Sequence, residues 1–298
     1  VGAVIIDSTG AVIAEGFHDR NKSSDHAEVV AIKAAGEKTQ GSTIVVTLEP
    51  CNHTGKTGPC ADALIAAGVD RVVFAATDPG AVSGGGAEKL ATAGVEVIEG
   101  ILEEEANELI RIWRKSTELQ RVFVTVKWAS TLDGRTAAND GTSKWISNEV
   151  SRSDVQRLRR ESDAILVGTN TVISDNPHLI PRGEFSGYTH NPIRVIFGES
   201  NVPADSKVFD SAANTVQVKS RDLNNLAVKL NEMDINQVFV EAGTTLASVM
   251  VAGGLLDELV IYQAPALLGS GKPFFADDSV STIEDQMRLE HISTEVLA

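Results

Sequence analysis

The chain has 298 residues, 42% of them hydrophobic, with 41 acidic against 26 basic side chains and a formal net charge of −15. Such a length fits two ordinary domains and such an apolar fraction a packed core. The acidic excess speaks against polynucleotides or anionic membranes as partners, because phosphate surfaces demand Lys and Arg. No stretch approaches the roughly 20 apolar residues of a membrane span.

In chain order, the apolar stretches 2–7 and 11–17 around Ser8-Thr9-Gly10 predict a hairpin. A helix is predicted from about Asp25, with Val30, Ala31 and Ala34 on one side and Gly36 near its end. The β-branched run Thr43 to Leu48 reads as a strand. Pro59 suits the first position of a further helix, which Gly68 closes. Val72 to Ala76 and Val95 to Ile98 read as further short strands; the β-β-α-β-α-β alternation, followed by the last strand, is the pattern of a layered α/β domain. The charged stretch from Glu103 to Gln120 reads as a helical connector, giving expected domains of 1–119 and 120–298. Beyond it, strands are predicted near 122–127, 164–168, 193–197, 237–241 and 258–263, and helices near 148–160, 223–233 and 244–252. No internal repeat is visible. The opening Val1-Gly2-Ala3-Val4-Ile5-Ile6 is too short, and lacks the basic flank, for a signal peptide.

The chemistry is concentrated between His26 and Cys60: His26-Ala27-Glu28, then Glu49-Pro50-Cys51, then Pro59-Cys60. One imidazole and two thiolates are zinc ligands, and three protein ligands leave a fourth position for water, the arrangement of a catalytic zinc. A glutamate that is not a ligand then shuttles the proton, as in deaminases of bases described by H-x-E and P-C-x-x-C. Here the cysteines stand nine apart instead of three. Residues two apart share no helix face, so His26 and Glu28 reach one site only if the zinc lies over the helix N-terminus.

Plainer readings exist for each residue. The two cysteines, the chain's full complement, could form a disulfide, although nothing else suggests secretion. Asp25-x-x-Glu28 fits a capping box. Cys60 alone fits a small buried apolar site, and His53 is available as a fourth ligand of a structural zinc. The occurrence of all four groups together favours a catalytic zinc with Glu28 as the proton carrier. His18, His178, His190 and His291 stand at no ligand spacing and read as structural or surface residues.

The segments His26-Ala27-Glu28, Thr47-Leu48-Glu49-Pro50-Cys51-Asn52-His53-Thr54-Gly55-Lys56-Thr57-Gly58-Pro59-Cys60 and Thr77-Asp78-Pro79 closely resemble the bifunctional deaminase/reductase family of riboflavin biosynthesis. So do Lys127-Trp128-Ala129-Ser130-Thr131-Leu132-Asp133-Gly134-Arg135, Trp145-Ile146-Ser147, Asp175-Asn176-Pro177-His178-Leu179 and Val240-Glu241-Ala242-Gly243. The likeness runs over nearly the whole chain in the right order. It implies an N-terminal cytidine-deaminase-like three-layer α/β domain and a C-terminal dihydrofolate-reductase-like α/β domain.

By that resemblance the first domain, with Zn2+ on His26, Cys51 and Cys60, deaminates 2,5-diamino-6-(5-phosphoribosylamino)pyrimidin-4-one. The second would use NADPH to reduce the ribosyl group of 5-amino-6-(5-phosphoribosylamino)uracil to ribityl. Substrate contacts are implied at Lys56, Ser143, Arg159, Leu179, Arg182 and Glu241. Cofactor contacts are implied at Ala129, Trp145, Thr171, Asp175, Gly243, Thr244, Thr245 and Leu246. A homo-oligomer in the cytoplasm, acting on a small molecule and binding neither nucleic acid nor membrane, is expected.

From the residues alone, the second site is less explicit. There is no G-x-G-x-x-G, and Gly271-Lys272 fails the P-loop spacing. The run Glu241-Ala242-Gly243-Thr244-Thr245 feeding a helix can bind phosphate through N–H groups, or be a plain αβ turn. Arg157 and Arg160 read as a solvated helix face, Trp145 by default as a core residue, and Lys127 either as an ionisable group of the site, with Asp175, or as a strand lysine with its head in solvent. The chain departs from the family's pattern at Gly58, Gly80 and Ile180, and it starts at Val1-Gly2, where the family carries a further helix and a Pro-Asn-Pro turn. Competing readings are a deaminase whose second domain only supports assembly, an interaction module with a structural zinc, and a nucleic-acid deaminase, which the charge disfavours.

Overall fold

Period-two burial builds the first sheet: Ala3 and Ile5 of β1 (Gly2–Ile6) and Ala14 of β2 (Val12–Phe17) point into the core. The computed structural model describes residues 1–19, 23–55, 57–187, 190–277 and 280–297. Its contacts divide into two compact units, Val1–Gln120 and Arg121–Ala298.

In the first unit β1 pairs antiparallel with β2 and with β3 (Thr43–Leu48), and β3, β4 (Arg71–Ala76) and β5 (Glu96–Glu99) run parallel, giving the order β2-β1-β3-β4-β5. The helices are α1 (Ala27–Ala35), α2 (Cys60–Ala67) and α3 (Gly86–Thr92). Ile5, Ile44, Leu64, Val72, Phe74 and Leu90 are fully buried between these helices and the sheet. A methyl group added at Gly16 would lie 2.3 Å from the Ala27 carbonyl oxygen, so only glycine lets the start of α1 sit directly on β2. That contact sets where His26 and Glu28 stand.

The stretch read as a connector does more. It forms α4 (Glu103–Leu109) and α5 (Arg111–Leu119), divided at Ile110, whose φ of −102° leaves the helical region. Ala106 and Ile110 are buried against Leu48 and Ala76, so this segment is part of the first unit's core.

The second unit holds a six-stranded, wholly parallel sheet of order β10-β9-β8-β11-β6-β12. Its strands are β6 (Phe123–Thr131), β8 (Ala164–Gly168), β9 (Ile193–Phe197), β10 (Thr215–Val218), β11 (Gln237–Glu241) and β12 (Glu258–Ala264). A small antiparallel ribbon joins β7 (Arg135–Ala137) to β13 (Lys272–Pro273). The helices are α6 (Glu149–Glu161), α7 (Thr169–Asp175), α8 (Leu223–Asn231) and α9 (Thr244–Ala252). The central strands are buried on both faces, as their near-continuous Val/Ile/Leu runs require. One face packs Val126, Trp128 and Val240 against Ala247 and Met250 of α9. The other packs Phe239 and Tyr262 against Val155 of α6. Strand β10 and helix α7 were not predicted, and β6 runs further than expected, to Thr131. Among the described residues no helix is long and apolar enough to cross a membrane.

Candidate active sites in the two units

His26 is the N-cap of α1, in extended conformation (φ −72°, ψ 164°), and not a residue of its first turn. The objection from helix periodicity therefore dissolves: His26 leaves the chain before the helix begins, and Glu28 sits inside its first turn. The capping-box alternative is not realised, since the cap is His26 and the Asp25 carboxylate instead accepts from Lys33 Nζ at 2.6 Å. Cys51 stands three residues beyond Leu48, the carboxyl end of β3. Cys60 is the first residue of α2, with Pro59 as its cap. The nine-residue interval closes in space because the Cys60 N–H points at Cys51 Sγ (3.4 Å) and the Ala61 N–H at the Cys51 carbonyl (3.2 Å).

The ligand atoms of His26, Cys51 and Cys60 lie within 4.8 Å of one another. His26 Nδ1 is 3.5 Å from Cys51 Sγ and 3.2 Å from Cys60 Sγ. Tetrahedral zinc with its usual Zn–S and Zn–N bonds gives N···S edges of about 3.6 Å, so the three donors fit that ion without rearrangement. His53 is not part of this cluster, which among the described residues comprises three protein donors. Both cysteines are free, so the disulfide alternative is not realised.

Electrostatics at this centre favour a cation. The hydrogen bond from the Cys60 thiol, then His26 and the Cys60 backbone N–H, pull Cys51 well below the ordinary thiol range, outweighing its burial. The same shared proton, with burial and Glu28, pushes Cys60 up. Glu28 is 3% exposed, and burial raises its pKa, partly offset by backbone hydrogen bonding and by His26. It interacts with the Cys60 thiol. A buried carboxylate of raised pKa beside three metal donors is a competent proton acceptor. The His18 ring packs 5.1 Å from that of His26, tilted by 39°, so His18 belongs to the surroundings of the site, which its spacing did not suggest. Lys56 lies outside the described residues.

In the second unit, alternation along the parallel strands puts Lys127 and Ala129 of β6, Glu241 of β11 and Tyr262 of β12 on the face that α6 covers. Glu241 is the register neighbour of Lys127. Arg159 of α6, 7% exposed, clamps Glu241 with two parallel bonds, Nε to Oε1 and Nη2 to Oε2 (2.9 Å), and donates to the Ile180 carbonyl. Burial opposes ionisation of Glu241, but Arg159, Lys127 and Arg182 overcome it and hold its pKa below the ordinary value. Burial lowers the Lys127 pKa, with Glu241 opposing. Its ammonium lies 6.0 Å from the centre of the Tyr262 ring, whose hydroxyl donates to Asp154 at 2.6 Å. The head of Lys127 is thus inside the protein, contrary to the solvated alternative.

The remaining candidates are more dispersed. Trp145 is 72% exposed, with the Arg152 guanidinium over its ring at 4.6 Å, so it is not a core residue. Ser143 is exposed in the same segment. Thr171 is half-buried early in α7, while Asp175 is exposed at its end. Leu179 is buried with a φ of 51°, and Arg182 is exposed. Arg157 pairs with Asp154 and Glu161 on the outer face of α6.

Gly243 caps α9 without a side-chain hydrogen bond, and a methyl added there would meet nothing within 4 Å. The helix start thus has free space on the Cβ side of Gly243 and no side chain capping it, a setting in which a helix start can receive a phosphate. Thr245 is exposed and Leu246 half-buried beside the end of β8, with Leu246 Cδ2 3.7 Å from a Cβ built on Gly168. The Thr244 hydroxyl donates to the Pro273 carbonyl (2.6 Å).

The protein-family model for the "Cytidine and deoxycytidylate deaminase zinc-binding region" matches residues 1–76, and that for the "RibD C-terminal domain" matches residues 122–298. The chain is 40% identical over 297 residues to a riboflavin biosynthesis protein RibD of Mycobacterium tuberculosis, covering 99% of this chain and 87% of the relative. It is 38% identical over 321 residues to that of Aquifex aeolicus, covering 100% and 89%. Among solved structures, Acinetobacter baumannii RibD aligns with a TM-score of 0.87 at 36% identity, covering 99% of this chain and 88% of that one. A diaminohydroxyphosphoribosylaminopyrimidine deaminase/5-amino-6-(5-phosphoribosylamino)uracil reductase of Thermotoga maritima aligns with a TM-score of 0.80 at 37% identity, covering 94% and 85%.

Proposed function

The chain belongs to the RibD family of riboflavin biosynthesis proteins, and from that premise we propose which residues perform its two reactions. It is a bifunctional enzyme with a zinc-dependent deaminase in its cytidine-deaminase-like first unit and an NADPH-dependent reductase in its dihydrofolate-reductase-like second unit. The first reaction removes the amino group of 2,5-diamino-6-(5-phosphoribosylamino)pyrimidin-4-one. The second reduces the ribosyl group of 5-amino-6-(5-phosphoribosylamino)uracil to ribityl.

In the deaminase, His26, Cys51 and Cys60 hold the metal. Bound zinc supplies Lewis acidity that makes water nucleophilic near neutral pH. Glu28 receives the proton of the attacking water and delivers it to the departing amino nitrogen, so its basicity, raised by burial, serves both transfers. Lys56 contacts the substrate.

In the reductase, the open first turn of α9, from Gly243 to Leu246, receives the cofactor diphosphate. Ala129, Trp145, Thr171 and Asp175 contact the rest of the cofactor. Bound NADPH supplies the hydride. Glu241, braced by Arg159 and by its neighbour Lys127, orients the sugar, while Ser143, Leu179 and Arg182 hold the phosphoribosyl part. The enzyme works as a homo-oligomer in the cytoplasm.

The observation that carries the deaminase assignment is the convergence of one nitrogen and two sulfurs on a single point beside the buried Glu28. Metal content and ammonia release from the diaminopyrimidine test it. One zinc per chain with turnover is expected, and a metal-free active protein rejects it. NADPH oxidation with the deaminated product tests the second site independently.

A further inference from the structure

Glu49 immediately precedes Pro50-Cys51 and is 8% exposed, yet the reaction above does not use its carboxyl group. Its two oxygens go to two different places. Oε2 accepts the Asp78 N–H at 3.2 Å, and Oε1 accepts the Ala87 N–H at 3.0 Å. Asp78 and Ala87 bracket the segment that leaves β4 and enters α3. A single carboxylate therefore ties together both ends of this loop.

The loop is also pressed onto the cysteine segment. The Asn52 N–H donates to the Ser83 carbonyl at 2.8 Å, and Asn52 is the neighbour of ligand Cys51. A methyl at Gly86 would come within 1.7 Å of the Pro50 carbonyl oxygen, so the two backbones touch where only glycine fits. Internally the loop adds little: Gly80 N–H to Asp78 Oδ1 and Gly84 N–H to the Gly80 carbonyl. What keeps it against Cys51-Asn52 is the carboxylate, the Asn52–Ser83 hydrogen bond and that backbone contact.

We propose that Glu49 is a positioning residue of the deaminase: its carboxylate clasps the two ends of loop 77–86 so that the loop forms a fixed wall of the pyrimidine pocket beside Cys51 and Asn52. This inference rests on the deaminase reading. The clasp acts on substrate binding, and the metal ligands and Glu28 keep their own supports, so the effect of losing it falls on KM. Geometry matters more than charge, because the carboxylate spans two donors and approaches no cation in the bonds described.

The test compares Glu49→Gln, Glu49→Asp and Ala87→Pro in the intact chain, measuring ammonia-release kinetics, zinc content and NADPH oxidation. Gln keeps one acceptor oxygen and turns an amide donor towards the other N–H. Asp keeps the charge but is one methylene too short to span both donors. Pro deletes the Ala87 donor at a first-turn position that tolerates it. All three are expected to raise the pyrimidine KM roughly tenfold, equivalent to about 1.4 kcal/mol of lost substrate binding. The kcat should stay within about twofold, with zinc and NADPH oxidation unchanged.

An unchanged KM in Glu49→Gln or Ala87→Pro overturns the proposal. So does recovery by Glu49→Asp, which would make charge sufficient, or loss of zinc or of soluble protein, which would make Glu49 a support of the metal site or of the fold. Amide hydrogen exchange at Asp78 and Ala87 gives a reading independent of turnover. Faster exchange there in Glu49→Gln is required, and unchanged protection rejects the clasp. An unaltered chain that releases no ammonia rejects the deaminase reading instead.

Discussion

Replacing Arg159 with Met should cost the second unit more stability than any surface change, and the reason is what stays behind. Met fills much of the guanidinium's volume but leaves the Glu241 carboxylate enclosed beneath α6 without the two hydrogen bonds that Arg159 gives it. Breaking a buried pair in this way costs about 3–5 kcal/mol, whereas removing both charges together is often near neutral. Lys127 and Arg182 still act on Glu241, which places the loss near the lower end, about 3 kcal/mol. For a unit of this size each kcal/mol shifts the melting temperature by about 2–4 °C, so a fall of roughly 6–12 °C is expected at pH 7. The double replacement Arg159→Met with Glu241→Leu should recover most of it.

The pH dependence carries a sign of its own. The folded Glu241 pKa is depressed, so its stabilisation is present above the ordinary glutamate value of about 4.3 and is lost as pH falls through the depressed folded value. In Arg159→Met the same carboxyl, buried with less compensation, takes up its proton at higher pH, and the deficit against the unaltered chain narrows on acidification. Calorimetry of the full chain between pH 7 and pH 4, followed through the transition that abolishes NADPH oxidation, measures both effects. A single variant melting with the unaltered chain, a double variant less stable than the single one, or a deficit that widens in acid would refute this account.

The deaminase yields two sharper separations. Glu28→Gln keeps the shape of the buried side chain and removes its basicity; ammonia release should fall by about 10²–10⁴-fold, while zinc content and NADPH oxidation remain as before. Chelation, or Cys60→Ser, should remove zinc and ammonia release together and leave NADPH oxidation intact, as read from metal analysis and the two assays run on one preparation.

How much of this was legible in the sequence depended on the range of the interaction. The metal set was visible because nitrogen and sulfur ligands are chemically rare and lie close in the chain. The central strands of the second unit were visible because Val-, Ile- and Leu-rich runs buried on two faces have few other readings. Helix α7, Thr-Asn-Thr-Val-Ile-Ser-Asp, was not, since its residues favour turns and caps over helix; packing around buried Val172 makes it. Helix α3 was not predicted, since it starts at Gly86 behind Gly84-Gly85 and glycine is a poor helix former. Gly86 is there for the close approach to Pro50. The Arg159–Glu241 clamp joins residues 82 apart and the Glu49 bonds reach 29 and 38 residues, so no local pattern announces them.

The two sites use the same structural resource in opposite ways, and the difference can be tested. Both stand at carboxyl ends of parallel strands, where the next helix presents its free N–H groups. In the first unit the chain itself takes up such groups: the Cys60 N–H goes to Cys51 Sγ and the Ala61 N–H to the Cys51 carbonyl. That suits a resident metal. In the second unit the start of α9 has vacant space on the Cβ side of Gly243, which suits a cofactor that exchanges at every turnover. Gly243→Val fills that space. The backbone there is extended (φ −73°, ψ 171°), so valine introduces no strain. The melting temperature should stay put while the KM for NADPH rises roughly tenfold, equivalent to about 1.4 kcal/mol of lost binding, with ammonia release untouched. An unchanged KM for NADPH would show that the diphosphate is held elsewhere and that the open helix start is only a turn.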